Sequence, residues 1–169
     1  MTASAWKPYT QIGLQQIDQT STVKNHPLGT IVRAHHGTYG EGEFIYLKGV
    51  ASTAVGSLVS YNQSAGTTTL SANTANLTTP VAVAMSANVA NQYGWYQIDG
   101  AAVIQKATGV AISPSVALYQ SATAGALTST VASGKQLQSA ISANTASVAS
   151  ATTTVLVQIN RPAFQGSAV

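Results

Sequence analysis

Short runs rich in β-branched and aromatic residues recur from Gly29 to Asn160, each bounded by Gly, Pro, Asn or Ser, and this punctuation limits the folds open to the chain. Each run predicts a strand. The candidates are Thr30 to His35, Glu43 to Lys48, Ser57 to Tyr61, Thr67 to Ser71, Val81 to Ser86, Gly94 to Ile98, Ala102 to Lys106, Val116 to Gln120, Ala126 to Thr130, Gln138 to Ser142 and Thr153 to Asn160. The Ala-rich stretches between them are mixed with Thr, Ser and Val and carry no 3.6-residue apolar period. Helix is therefore expected only as a single turn, at Thr74 to Leu77 or Ser133 to Leu137.

The runs repeat in order. Val59-Ser60-Tyr61-Asn62-Gln63-Ser64-Ala65-Gly66 is echoed by Ala117-Leu118-Tyr119-Gln120-Ser121-Ala122 and then Gly125. Met85-Ser86-Ala87-Asn88 returns as Ile141-Ser142-Ala143-Asn144, and Gln97-Ile98-Asp99 as Gln158-Ile159-Asn160, at offsets of 58, 56 and 61 residues. A four-strand unit leaves edges and an apolar face unsatisfied, whereas two related units can close into a barrel or stack as a sandwich. The expected fold is all-β: a barrel or jelly-roll-like sandwich of about ten short strands with an internal duplication.

Residues 1–28 differ from the rest. Gln11, Gln15, Gln16, Asp18, Gln19, Thr20, Ser21 and Thr22 interrupt a few apolar positions, and Ile12, Leu14 and Ile17 are too sparse to build a core. The segment reads as an extended N-terminal arm that either lies along a neighbour or stays mobile, ahead of a single β domain at 29–162 and a short tail at 163–169. Trp6, Tyr9, Ile12 and Leu14 are the expected anchors of that arm, because such a segment gains affinity through a few apolar side chains.

Only 7% of the 169 residues are charged, against about 25% in ordinary soluble domains. The outer surface must then be built from Ser, Thr, Asn, Gln and backbone, which suits a protein whose outer face meets other protein. Seven basic residues outnumber four acids, but the cations are scattered singly and form no footprint for a phosphate backbone. No nucleic-acid partner is expected. Cysteine is absent, which removes disulfides, thiolate catalysis and Cys-based zinc sites. The N-terminus has no secretory pattern and no stretch is apolar enough to span a membrane, so synthesis in the cytoplasm is expected.

The inventory for catalysis is short. His35 and His36 are adjacent and would point to opposite faces of a strand, so they would not chelate one ion. Glu41 and Glu43 could share a face, but a solvated turn-to-strand edge explains them better than the opposed carboxylates of a glycosidase. Gly37-Thr38-Tyr39-Gly40-Glu41-Gly42 is neither a Walker A loop nor a dinucleotide fingerprint. Tyr93, Trp95 and Tyr96 could stack on a sugar, yet alternation along a strand splits them between two faces, which favours core or interface packing. No catalytic residue, metal site or cofactor is expected.

The run Thr38-Tyr39-Gly40-Glu41-Gly42-Glu43-Phe44-Ile45-Tyr46-Leu47-Lys48-Gly49-Val50, with Pro80-Val81-Ala82-Val83-Ala84-Met85-Ser86, Gly94-Trp95-Tyr96-Gln97-Ile98-Asp99-Gly100 and Val157-Gln158-Ile159-Asn160-Arg161-Pro162, resembles capsid decoration (cement) proteins of tailed bacteriophages. The likeness is one of pattern and covers most of the chain after Gly29. It implies a non-enzymatic virion protein that binds the outside of the assembled head and clamps neighbouring major capsid proteins against internal DNA pressure. It also implies a homo-oligomer, with a trimer favoured and a dimer also open, and arms that often reach adjacent subunits. No residue-level site is carried over from it. The alternative expectation is a tail-fibre or head-fibre module that touches host glycans through Tyr93, Trp95 or Tyr96.

Overall fold

The structure is a computed structural model that describes residues 4–9 and 15–167. Two of the expected anchors, Ile12 and Leu14, lie outside the described residues. The described residues form strands and turns with no helix: β1 (Trp6–Pro8), β2 (Ile31–His36), β3 (Gly40–Lys48), β4 (Leu58–Asn62), β5 (Thr67–Leu70), β6 (Val81–Ala84), β7 (Tyr93–Gln105), β8 (Leu118–Gln120), β9 (Leu127–Thr128), β10 (Gln136–Ser142) and β11 (Thr154–Phe164). The fold is all-β, and the two runs expected at Gly94 to Ile98 and Ala102 to Lys106 are one continuous strand, β7.

The sheet closes on itself twice. Its order is β1-β2-β3-β5-β4-β6-β7-β11-β10-β8-β9, and β7 also pairs with β3. Strands β3, β5, β4, β6 and β7 therefore form a ring, sealed by one parallel contact between Lys48 and Thr67. β7 and the four strands that follow it in this order, β11, β10, β8 and β9, form a second ring, sealed by a parallel bridge between Lys106 and Leu127. Each ring encloses a core drawn from its own strands. Ile45, Leu47, Val59, Ala82, Ala84, Tyr96 and Ile98 fill the first. Ala102, Ile104, Leu118, Leu127, Leu137, Val157 and Ile159 fill the second, and Leu58, Val81 and Val83 from the outside of the first ring join the same cluster. Closure satisfies the strand edges that either unit alone would expose.

The duplication seen in the sequence is a duplication of rings, with β7 as the last strand of one and the first of the other. Gly56, Gly66 and Gly100 have φ of 78°, 65° and 97°, and Ser115, Gly125 and Arg161 repeat the left-handed backbone at 55°, 76° and 44°. These positions are 59, 59 and 61 residues apart. The structure shifts one part of the sequence alignment. Ser60 pairs with Thr69 and Tyr61 with Thr68 in the first hairpin, while Tyr119 pairs with Thr128 and Gln120 with Leu127 in the second, so the offset through both hairpins is 59, not 58. Tyr119 stands where the first ring has Ser60. Side chains alternate along a strand, so the one-residue difference puts Tyr61 and Tyr119 on opposite faces despite their matching sequence context. In β10 the chain bulges at Ser139, which absorbs one residue. Before the bulge Leu137 corresponds to Ala82, and after it the offset is the 56 read from Ser86-Ala87-Asn88 and Ser142-Ala143-Asn144.

Residues 1–28 were expected to lie along a neighbour or stay mobile, but the described part of this segment packs on the chain's own sheet. β1 adds to the edge of β2, with Trp6 opposite His36, and Ile17 is fully buried. The domain also runs past its expected end at 162, since β11 continues to Phe164, whose ring is buried in the second core. Gln165 and Gly166 then donate to the Gln136 and Leu77 carbonyls.

Gly100 marks the point where β7 passes from one ring to the other. A Cβ there would sit 2.3 Å from the Glu41 carbonyl oxygen, on backbone that cannot move aside, and the φ of 97° is itself unfavourable for any side chain. Gly100→Ala should therefore cost at least about 2 kcal/mol. A shift of the urea midpoint at unchanged slope would measure it.

Candidate interaction surface

Gln15 makes the densest set of polar contacts in the N-terminal segment. Its side-chain Nε2 donates to the carbonyls of Gln19 and Tyr93, at 2.8 and 3.1 Å. Its Oε1 accepts from the Tyr46 hydroxyl and the Asn25 amide, at 2.8 and 3.0 Å. Its backbone carbonyl accepts from Trp95 Nε1 at 3.0 Å, and its backbone N–H donates to His26 Nε2 at 3.1 Å. Six residues thus meet at Gln15, four of them at its side-chain amide, and Ile17 enters the apolar cluster of Phe44, Tyr46 and Trp95 beside it. His26 lies edge-on to Tyr46 and against Trp95, with ring centroids 5.0 and 5.4 Å away. Burial among these rings lowers its pKa below the ordinary histidine value of 6.5.

The expected anchors part company. Trp6 is 6% exposed and packs edge-on against Phe44 at 4.8 Å and beside His36 at 5.0 Å, so its ring is spent inside this chain. Tyr9 is 54% exposed, and its hydroxyl donates to Glu41 Oε1 at 2.8 Å, which raises the phenol pKa. Among the described residues of the anchor set, only Tyr9 faces outward. The aromatic cluster invoked for glycan stacking is likewise committed. Trp95 and Tyr96 are fully buried, and Tyr96 accepts from Asn88 Nδ2 at 3.0 Å.

Three of the four acids gather at the start of β3 and the middle of β7. Glu43 binds Arg33 from β2 at 2.7 Å and Arg161 from β11 at 2.6 Å, while Asp99 is its cross-strand partner on β7. The Glu43 side chain is only 12% exposed, so it is a bridge between three strands and not the solvated edge that its sequence context suggested. Burial alone would raise its pKa, but hydrogen bonds from Arg33 and Arg161 outweigh that and bring it below the ordinary carboxylate value. Asp99 moves the other way, pushed up by burial and by the Glu43 charge despite the two arginines.

The remaining polar groups look inward as well. His36 Nδ1 accepts from the backbone N–H groups of Thr38 and Tyr39, at 3.0 and 3.3 Å, whereas His35 is exposed. Lys106 is buried, and its ammonium donates to the carbonyls of Ala107, Thr152 and Ser150 at 3.0, 2.9 and 3.2 Å. No cluster of three metal-ligating side chains occurs among the described residues. The rest of the outward face is sparsely charged: Lys7, Asp18 and Lys24 are exposed, and Val23, Val55, Val89 and Val131 are exposed apolar side chains set among Ser, Thr, Asn and Gln. Val55 and Val103 border a small apolar hollow of about 110 Å³ where the two rings meet, and Trp6, Tyr39 and Met85 line it.

No family model, curated protein or solved structure matches this chain.

Sequence reasoning missed Gln15, Ile17 and Arg161. Nothing local marks Gln15 among its neighbouring glutamines, because its role comes from side chains and carbonyls contributed by distant elements.

Two outcomes follow from this geometry. Trp6→Ala should cost about 3–5 kcal/mol by opening a cavity beside Phe44. Deleting residues 1–20, which the arm reading expected to leave the β domain folded, should lower the melting temperature by removing Trp6, Gln15 and Ile17. Secondly, His26 has a lower pKa folded than unfolded, so its contribution is complete above about pH 6.5 and declines as the pH falls through the folded value. Denaturant melts of the wild type and His26→Gln across that range should show a stability loss on acidification that the variant reduces.

Proposed function

We propose that this chain is a non-enzymatic structural protein that binds the outer surface of a tailed-bacteriophage head and cements neighbouring major capsid proteins. The observation that carries the reading is the use of charge. Glu43, Asp99 and both arginines meet in one cluster on β2, β3, β7 and β11, and the rest of the surface carries few charges among hydroxyls, amides and isolated valines. Such a surface has little electrostatic steering and suits many copies of a small, complementary contact on a repeating protein partner. Two closed rings joined through a common strand supply stiffness for a clamp, and the resemblance of the sequence to decoration proteins points the same way. The partner in this reading is the major capsid protein, and the cement acts as a homo-oligomer, a trimer by preference. Tyr9, beside Glu41, is the described residue from the N-terminal segment best placed to touch that partner.

Quantitative mass spectrometry of purified virions tests the reading directly. A copy number near that of the major capsid protein, or a simple fraction of it, is expected; a handful of copies per particle would indicate a fibre or tail component instead. Attachment to heads lacking the protein should also change little between about 50 and 500 mM salt, because few exposed charges are available to be screened. A steep loss of attachment over that range would count against the neutral contact.

A further inference from the structure

A groove runs along the outside of the β4–β5 hairpin and under the turn that leads into β6. Its volume is about 580 Å³, within the range of small-ligand sites. The lining is uncharged. Ser60, Asn62, Thr67, Thr69 and Thr79 present hydroxyl and amide groups, while Tyr61, at the rim, packs its side chain against the core of the first ring.

The groove is built on rigid elements. The hairpin pairs in unbroken register from Asn62–Thr67 to Val59–Leu70. Thr79 Oγ1 donates to Ser60 Oγ at 2.9 Å, which ties the two walls together. Tyr61 N–H donates to the Pro80 carbonyl at 3.1 Å, and Asn62 Oδ1 accepts from Ser64 Oγ and the Ala65 N–H at 2.8 and 3.0 Å. The Asn62 side-chain oxygen is thus occupied in the turn.

The duplication supplies an internal control. In the second ring the positions of Ser60, Asn62, Thr67 and Thr69 are held by Tyr119, Ser121, Ala126 and Thr128. There the last three are buried, whereas Asn62, Thr67 and Thr69 are exposed. The same hairpin is covered in one copy and open in the other, so an open hydroxyl face is not imposed by the ring architecture.

We propose that this groove is a binding site for a neutral oligosaccharide. A lining with many hydrogen-bonding hydroxyls and amides and no charge matches a ligand of the same character: uncharged and rich in hydroxyls. Anionic ligands find no cation in the lining, and a purely apolar ligand would leave the hydroxyls without partners. The site is separate from Tyr9 and from the aromatic cluster of Tyr93, Trp95 and Tyr96, and it does not depend on capsid attachment.

The test is saturation-transfer NMR and calorimetry on the full chain with a panel of neutral di- and trisaccharides built from glucose, galactose, mannose and N-acetylglucosamine. At least one is expected to bind, with amide shifts confined to β4, β5 and residues 78–80. Ser60→Tyr, which installs the second ring's residue, and the exposed pair Thr67→Val and Thr69→Val should each weaken that binding at least about tenfold. Melting curves equal to wild type for the threonine variants would separate lost binding from lost folding. Absence of binding across the panel, or binding unchanged in the threonine variants, overturns the proposal. Either result leaves the virion copy number untouched, so the two readings fail independently.

Discussion

Strand β7 is the constraint on which the rest depends. Its thirteen residues serve two rings, pairing with β3 and β6 over one half and with β11 over the other. Neither ring closes without it. The crossing point needs a backbone that no side chain allows, and Gly100 provides it while resting against the Glu41 carbonyl. Asp99 beside it pairs with Glu43 on one edge and Asn160 on the other, so the polar cluster of Glu43, Arg33 and Arg161 forms where the rings join.

That junction also explains where the charge goes. A chain with so few ionisable residues places most of its acids at one inter-strand bridge, where Glu43 meets two guanidiniums. Coupling through hydrogen bonds overcomes the desolvation that would otherwise keep the carboxyl neutral. The consequence for the surface is a low density of charge, with solubility and recognition left largely to hydroxyls, amides and single valines. Both the proposed capsid contact and the proposed saccharide groove are consistent with such a surface, and they draw on different parts of it.

The N-terminal segment illustrates why burial is hard to read from a chain. Its few apolar residues could not form a core by themselves, and that arithmetic was sound. They did not need to, because β3 and β7 present Phe44, Tyr46 and Trp95 on the outside of the first ring, an apolar face that Trp6 and Ile17 cover. Gln15 then satisfies the Trp95 indole, the Tyr46 hydroxyl and the Tyr93 carbonyl together. A polar residue in a glutamine-rich stretch becomes a fastening point because distant groups converge on it, the buried Trp95 indole N–H among them.

The sequence by itself determined the all-β class, most strand positions and the duplication. These follow from local alternation, turn residues and order along the chain, which are properties of neighbouring residues. The tertiary structure decided that the repeats are two closed rings with one strand in common, that Tyr61 and Tyr119 point to opposite faces, and that the first residues belong to the body. Each of these depends on pairing between strands far apart in sequence, where a single-residue slip inverts every side chain and the local pattern barely registers the change. The offset of 59 is set by hydrogen-bonded register in the hairpins, not by the likeness of Tyr61 and Tyr119 in the sequence.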